Sequence, residues 1–384
     1  MKHTTRVNWK SVLRLGGAFT AYQIGSGFAS GQETMQYLGT FGGIYPFVLP
    51  VIVLIFVTIY CVLSYRTGYL CRFDDPNDAY EYYCGRVAGK LINLFTNLLI
   101  GASILIMFAG CGATIHQYLG TPVWVGSMVI GVLSAVVVCL GLEKVSTVLG
   151  SCGVLIILVM AVAGAYTIAT ADTGILEAQK NLETYVSEGI FLRISVFGID
   201  NPILTTLSFV GMGLALAVTF NVSLGETCKS KEECLAGGIC SGIFFTLGVI
   251  MVLFTMLLNL DYIAQKGAMI PMLAAIENSM PILTLPYTVI VCVGIFTTIV
   301  GYLWVGGRRF GGKDGTWRQR IVVILMTVVG ITVGSLIPLD RLVNTIYPLV
   351  SYVGLAIFVC MIVRSIAAAR GHRAAPTPAD SDAG

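Results

Sequence analysis

Apolar residues collect in ten long stretches separated by shorter polar segments: 12–39, 45–65, 91–117, 121–141, 145–171, 203–225, 235–260, 284–306, 321–337 and 341–363. A helix needs about 20 mostly apolar residues to cross the hydrocarbon core of a bilayer. Each stretch therefore predicts a membrane-spanning helix, and the chain reads as an all-α integral membrane protein with ten transmembrane helices. No ten-residue segments of alternating polarity occur, which argues against a β-barrel. The pattern divides the chain into an N-terminal segment (1–11), five spans (12–171), a long connection (172–202), five more spans (203–364) and a tail (365–384). The connection holds a helix-like stretch at 175–186, and the tail, rich in Ala, Pro and Asp, predicts disorder. Residues 261–283, with Pro271 and Pro281, form a second long connection. Asp74–Cys84 predicts a short surface helix beginning at Pro76 or Asn77.

Composition agrees. Of 384 residues, 56% are hydrophobic and 11% charged, against roughly 25% charged in soluble domains. A soluble enzyme, a disordered chain and a secreted disulfide scaffold are excluded, and a net charge of +3 supplies no field for nucleic acid. All but four of the 23 basic residues (Lys180, Arg193, Lys266 and Arg341) fall on the side that holds both termini. The positive-inside rule makes that side cytoplasmic, which places the chain in the inner membrane as a multi-pass protein. The N-terminus lacks the short h-region and cleavage site of a signal peptide. None of the eleven cysteines lies in an outer segment, so no structural disulfide is expected. Cys228 and Cys234 lack zinc spacing and read as reduced thiols. The three histidines, His3, His116 and His372, are too scattered for a metal site.

Ionisable residues inside spans are costly and mark function by default. Glu33 is the only acidic residue well within a span, and it closes the stretch Ala21-Tyr-Gln-Ile-Gly-Ser-Gly-Phe-Ala-Ser-Gly-Gln-Glu33. Gly25, Ser26 and Gly27 fall near the middle of span 1, where paired glycines predict a break. A break frees carbonyls below it and amides above it. Such groups are tolerated at membrane depth only inside protein or along a cavity. Freed amides hold a carboxylate and freed carbonyls a cation. Ser26, Ala29, Ser30 and Glu33 follow helical spacing and should share one polar face. Close helix packing through small residues is the competing reading.

Span 6 carries a similar run, Phe209-Val-Gly211-Met212-Gly213, which predicts a second interruption. Spans 1 and 6 open two halves of five spans each, and an odd number inverts the second half. Interrupted helices in corresponding positions of inverted halves point to a transporter's binding site. In span 8, the hydroxyls of Thr297 and Thr298 could complete an oxygen shell with carbonyls of span 1, or bond to the carbonyl four residues back.

The run Gly25–Glu33 resembles the signature of YkvI-like bacterial membrane proteins, which in turn resemble LeuT-fold (amino acid–polyamine–cation) secondary transporters. The resemblance covers about 10–364, with support at Phe296-Thr-Thr298 and Ile270-Pro-Met-Leu273. It implies a LeuT-like 5+5 inverted repeat with interrupted helices 1 and 6, spans 1, 2, 6 and 7 forming a bundle against spans 3, 4, 8 and 9. It further implies a sodium site from the carbonyls of Ala21, Ile24 and Gly294 and the hydroxyls of Thr297 and Thr298. A second sodium site in some relatives needs an Asn where Phe28 stands, so none is expected. Span 5 has no Lys or Arg, which favours sodium over proton coupling. The reading is a secondary active transporter: Na+-coupled symport of a small amino-acid-like or zwitterionic solute by alternating access. A proton-coupled transporter of the same fold and a solute-binding membrane sensor are the alternatives. Gly25, Ser26, Gly27, Phe28 and Ser30 would face the solute, with Gly211, Met212 and Gly213 opposite. Phe209, facing Phe28 and Phe108, is a candidate gate. Glu33 would bind a substrate amine, gate the site, or lock span 1 to neighbouring backbone. No hydrolase or metalloprotease motif occurs, so an enzyme is not expected. No cofactor is implied beyond Na+ as coupling ion. The partners are the solute and the lipid bilayer, with no obligate protein partner evident.

Overall fold

All ten apolar stretches are helical in the computed structural model, which describes residues 7–267, 270–334, 336 and 339–369, without side chains at 113, 117–119, 339–349 and 369. The first stretch is built from α1 (Trp9–Gln23), α2 (Ser26–Ala29), α3 (Gln32–Thr34) and a π-turn at Met35–Gly39. Then follow α4 (Tyr45–Cys71), a 3₁₀ turn at Pro76–Asp78 leading into α5 (Ala79–Cys84), α6 (Arg86–Leu119), α7 (Val123–Cys139) and α8 (Leu142–Thr170). The long connection holds α9 (Ile175–Ala178) and α10 (Leu182–Ser187), two short helices where one was expected. The second half comprises α11 (Pro202–Glu226), α12 (Lys231–Leu258), α13 (Leu260–Lys266), α14 (Pro271–Ser279), α15 (Thr284–Gly311), α16 (Trp317–Gly334) and α17 (Leu339–Ala369). Eight of these helices are long and apolar enough to cross a membrane; α7, with 17 residues, and the broken first stretch fall short of that measure. Residues 1–6 and the tail from 370 lie outside the described residues, and 365–369 continue α17.

Local chemistry sets the boundaries. Asn201 accepts from the amides of Ile203 and Leu204, both at 3.0 Å, with Pro202 opening α11. That is the side-chain cap the first turn requires. Ser230 accepts from Glu233 N at 3.1 Å, while the Glu233 carboxylate accepts from Lys229 N at 2.7 Å. The Ser230 contact is the side-chain cap of α12, and Glu233 satisfies the amide just before Ser230.

The long helices pack in two sets. α1, α4, α11 and α12 contact one another through α1–α11, α1–α12, α4–α11 and α4–α12. α6, α7, α15 and α16 form the other set through α6–α7, α6–α15, α6–α16, α7–α15, α7–α16 and α15–α16. α8 lies against α1, α12 and α15, and α17 against α11, α4 and α6. Several contacts of the first half have a counterpart in the second, although among the described residues α7–α8 packing has none between α16 and α17. α1–α8 corresponds to α11–α17, α4–α11 to α12–α1, α6–α7 to α15–α16, and α8–α15 to α17–α6.

Small residues permit the closest approaches. A Cβ on Gly153 would strike the Gly17 carbonyl, and one on Gly68 would strike the Val222 carbonyl. In lipid there is no hydrophobic force between helices, so such backbone contact supplies the packing. The segment expected to form a surface helix is instead inserted: Asn77 and Tyr80 are fully buried. Tyr80 donates to the Ala215 carbonyl at 3.4 Å, and Thr219 donates to Asn77 Oδ1 at 3.2 Å.

Candidate functional site

α1 ends where the glycine pair predicted it. In its last turn Ile24 N bonds to Thr20 O at 3.0 Å, but Gly25 N turns to Gln23 O at 2.9 Å. The Ala21 carbonyl, which Gly25 N would have capped in a continuing helix, is thereby released. Ser26 N, the helical partner of the Tyr22 carbonyl, instead points at Met107 Sδ of α6, 3.4 Å away. A helix end with carbonyls free at this depth needs partners, and span 8 supplies them. Thr297 Oγ1 lies 2.9 Å from Ala21 O and 2.8 Å from Gly294 O. Thr298 Oγ1 lies 3.2 Å from Tyr22 O, 3.4 Å from Ala21 O and 3.2 Å from Gly294 O. Both threonines are buried. Gly294 lacks a side chain where a Cβ would approach the Ile24 carbonyl to 3.0 Å.

The structure thus brings Ala21, Ile24, Gly294, Thr297 and Thr298 together. It adds Tyr22, whose carbonyl belongs to the same frayed turn and could have been anticipated from the rule that the last four carbonyls of a helix are orphaned. Each hydroxyl reaches both a carbonyl of its own helix, Gly294 O, and a carbonyl of α1.

Above the break the expected continuous half-helix is absent. α2 has four residues, and Gly31 then adopts φ +83°, a left-handed conformation. Ser26 through Glu33 consequently do not share one helical face. The second break frees two more carbonyls: Ala29 O accepts from Tyr287 of α15 at 3.2 Å, and Ser30 O accepts from Met272 N of α14 at 2.9 Å. Ser30 Oγ donates to Gly27 O at 2.9 Å. Glu33 is buried and folds back over Gly27, where a Cβ would collide with its carboxylate. Four residues make too short a helix for an appreciable macrodipole, so any hold on an anion here comes from individual amides. Met107 occupies the place beside them. Its thioether also fills the space where a Gly25 Cβ would lie, at 2.8–2.9 Å. Sulfur is a weak acceptor, so Ser26 N–H is only partly satisfied.

Span 6 departs from expectation. α11 runs unbroken through Gly211, Met212 and Gly213. Gly211 is a packing glycine: a Cβ there would lie 2.6 Å from Ser351 O of α17. Gly213 faces Gln23, whose Nε2 would be 2.5 Å from an added Cβ. The three carbonyls that follow each take a tyrosine hydroxyl from a different element. Tyr60 of α4 donates to Leu214 O at 2.9 Å, Tyr80 of α5 to Ala215 O at 3.4 Å and Tyr22 of α1 to Leu216 O at 2.6 Å. The interruption inferred from glycines is therefore replaced by a helix whose carbonyls are shared with its neighbours.

The aromatic residues also differ in part. Phe28 and Phe209 both contact Phe245 of α12, at ring-centroid distances of 5.4 and 6.2 Å, and Phe209 meets Tyr37 at 5.8 Å. Phe245 therefore stands between the two predicted partners. Phe108 points elsewhere, its ring packed against Gly131 of α7 and Gly330 of α16. It belongs to the core of the second helix set and does not face Phe28. Tyr22, Gln23, Met107 and Phe245 are the neighbours that the sequence reading missed; for the last three no local signal exists, since each arrives from packing.

No protein-family model matches the chain. It is similar to the uncharacterized membrane protein YkvI of Bacillus subtilis, with 24% identity over 349 residues covering 90% of this chain and 94% of YkvI. A second B. subtilis protein, the uncharacterized YyaD, is 24% identical over 348 residues, covering 89% and 94%. The resemblance read from Gly25–Glu33 thus extends over nearly the whole chain. Among solved structures the fold is similar to that of MhsT in complex with L-phenylalanine, with a TM-score of 0.65 at 13% identity, covering 94% of this chain and 90% of MhsT. It is also similar to a Na+-coupled sialic acid symporter, with a TM-score of 0.62 at 14% identity over 92% and 78% of the two chains. The Eremococcus coleocola manganese transporter gives 0.55 at 17% identity over 95% and 78%. The fold is that of LeuT-fold transporters.

Proposed function

We propose that this protein is a secondary active transporter that couples Na+ to the movement of a small amino-acid-like or zwitterionic solute. The observation that carries the reading is the convergence of the Thr297 and Thr298 hydroxyls on the Ala21, Tyr22 and Gly294 carbonyls. Oxygen atoms from α1 and α15 meet there, buried, at the frayed C-terminal end of α1. A sodium ion would replace the hydroxyl hydrogens: the hydroxyls turn their lone pairs inward and the carbonyls keep their direction. Ion binding then draws α1 onto α15, joining the two helix sets, which is how a bound ion can bias their relative position. Known proteins of this fold that include a Na+-coupled symporter and an amino-acid-bound transporter support the same reading.

The solute would lie beside Gly25, Ser26, Gly27 and Phe28, with Ser30, Phe209, Met212 and Gly213 around it and Met107 yielding its place. In this reading the ten helical stretches are ten spans, with both termini in the cytoplasm and the chain in the inner membrane. The paired contacts α1–α8 with α11–α17, α4–α11 with α12–α1, α6–α7 with α15–α16 and α8–α15 with α17–α6 support a 5+5 inverted repeat. The buried carboxylate of Glu33 over the break supports one second reading, in which a proton takes the place of sodium.

Thermal unfolding in sodium, compared with potassium and choline at one ionic strength, distinguishes the two. A ligand specific to the folded state stabilises it by RT ln(1 + [L]/Kd), about 2.7 kcal/mol at a hundredfold excess over Kd. We expect a sodium-specific rise in Tm that Thr298→Ala abolishes, and a further rise with the right member of an amino-acid panel. A solute-dependent shift that follows pH and ignores sodium would overturn the sodium assignment and make Glu33→Gln the decisive variant.

A further inference from the structure

Two apolar grooves run along the outside of the α6, α7, α15 and α16 set, and the transport reading uses neither. One, of about 400 Å³, lies among α6, α7 and α15 and has no charged residue in its walls. The other, of about 630 Å³, lies between α7 and α16 and ends on Arg320. Its walls are one face of each helix. Met128, Val132, Ala135 and Cys139 recur at helical spacing along α7. Arg320, Ile324, Thr327 and Ile331 do the same along α16, which is the least buried of the eight long spans at 28%. The Thr327 hydroxyl is already satisfied by Val323 O at 2.8 Å.

Depth and charge together identify what fits this groove. At about 1.5 Å per residue, the path from Arg320 to Ile331 is about 16 Å long, close to half of a hydrocarbon core of about 30 Å. The groove therefore has the depth of one leaflet, with its cation at the end where head groups lie. Arg320 belongs to no ion pair among the described residues. The segment 313–320 sets Lys313, Arg318 and Arg320 against Asp314 alone. The Asp314 carboxylate is occupied, accepting from Leu142 N at 3.1 Å, Trp304 Nε1 at 3.3 Å and Gln319 Nε2 at 3.1 Å. Trp317, 75% exposed, lies one turn before Arg320, in the place an interfacial aromatic takes.

We propose that the α7–α16 groove binds an anionic phospholipid, with one acyl chain between the helices and the phosphate on Arg320. A guanidinium meets phosphate oxygens with two parallel hydrogen bonds. The apolar walls accept the chain of any lipid, and the unpaired cation adds a preference for a head group of net negative charge. The groove among α6, α7 and α15 offers the chain a similar surface and the head group nothing, so it serves as the internal control.

The test is native mass spectrometry of the full-length protein, stripped of lipid in detergent and titrated with phosphatidylglycerol or with phosphatidylcholine of the same chains. Phosphatidylglycerol should bind saturably and at least about fivefold more tightly, the factor one basic residue at an anionic surface supplies. Arg320→Gln, a change at an exposed side chain, should remove that difference. Ala135→Trp and Val328→Trp fill the groove from its two walls and should weaken binding of both lipids. Val289→Trp, in the control groove, should leave the phosphatidylglycerol preference unchanged. Thermal unfolding in lipid-free detergent shows whether a wall variant folds, and either one suffices. Equal affinity for the two lipids, a preference that survives Arg320→Gln, or binding unchanged in a folded wall variant would each overturn the proposal. So would a dimer that phosphatidylglycerol leaves intact and Ala135→Trp splits, since a second copy of the chain would then cover this face.

Discussion

Gly31 illustrates what one residue decides. Its φ of +83° is available to glycine, and it ends the four-residue α2 so that Ser30 O can meet α14. An L-residue in this conformation costs roughly 1–2 kcal/mol, and a Cβ here would also press on the Met256 thioether. Gly31→Ala should therefore lower stability by about that amount or more. Gly43, at φ +67° with open space around it, serves as a control; Gly43→Asn should cost only a few tenths of a kcal/mol, since Asn tolerates this region. Chemical or thermal denaturation of both variants checks the contrast. Asp78, in the inserted 3₁₀ turn, has its carboxyl pushed up to about 6 by burial first and by Asp75 and Glu81 second. The folded state then holds this proton more tightly than the unfolded state does. Stability from this group is present below the ordinary carboxylate range and is lost as pH rises through about 6. Asp78→Asn should raise Tm at pH 7.5, with the gain shrinking toward pH 5; equal effects at both values would contradict the assignment.

At the scale of elements, glycine proves to be one letter with two uses. In span 1, Gly25 accompanies a real break because Met107 and the span 8 threonines receive the groups it frees. In span 6, Gly211 accompanies no break, because α17 lies against it and a Cβ on Gly354 would strike the Gly211 carbonyl. The local pattern is the same, so only the neighbour separates the cases. The α1–α8 crossing follows the second use, with Gly17 set against Gly150 and Gly153. Gly153→Ala should push these backbones apart, and overpacking of this kind costs typically 1–3 kcal/mol. A Tm within error of wild type would show that α8 can shift freely.

At the scale of the whole molecule, basic residues and helix pairing describe one arrangement from two directions. The charge asymmetry predicts an orientation for the chain, and the contact pattern groups its helices into a set of four and a second set of four flanked by α8 and α17. The orientation is testable without a ligand. A fluorescent protein fused after residue 369 should fluoresce and a periplasmic phosphatase inserted within 261–267 should be active, as expected for a cytoplasmic end and an outer connection. The reverse pattern would overturn the topology. The connection between α12 and α15 also carries α14, which bonds to Ser30 and packs on α12 and α15. Movement of one helix set against the other must therefore carry α14 or break that bond.

Much of this protein was legible from its residues alone. Hydropathy located every long helix, because a chain in lipid must bury its own backbone hydrogen bonds and apolar runs of that length have one solution. The break at Gly25 and the meeting of Thr297 and Thr298 with carbonyls of span 1 were legible too, since freed carbonyls at that depth demand partners; Ala21 in particular was named by the family resemblance. Other features depended on the tertiary structure. The second break at Gly31, the unbroken α11, the burial of Asn77 and Tyr80, and the positions of Met107, Phe108 and Phe245 all follow from which surface each segment meets. Those meetings involve residues far apart in the chain, and periodicity within one helix carries no information about the shape of the helix it will touch.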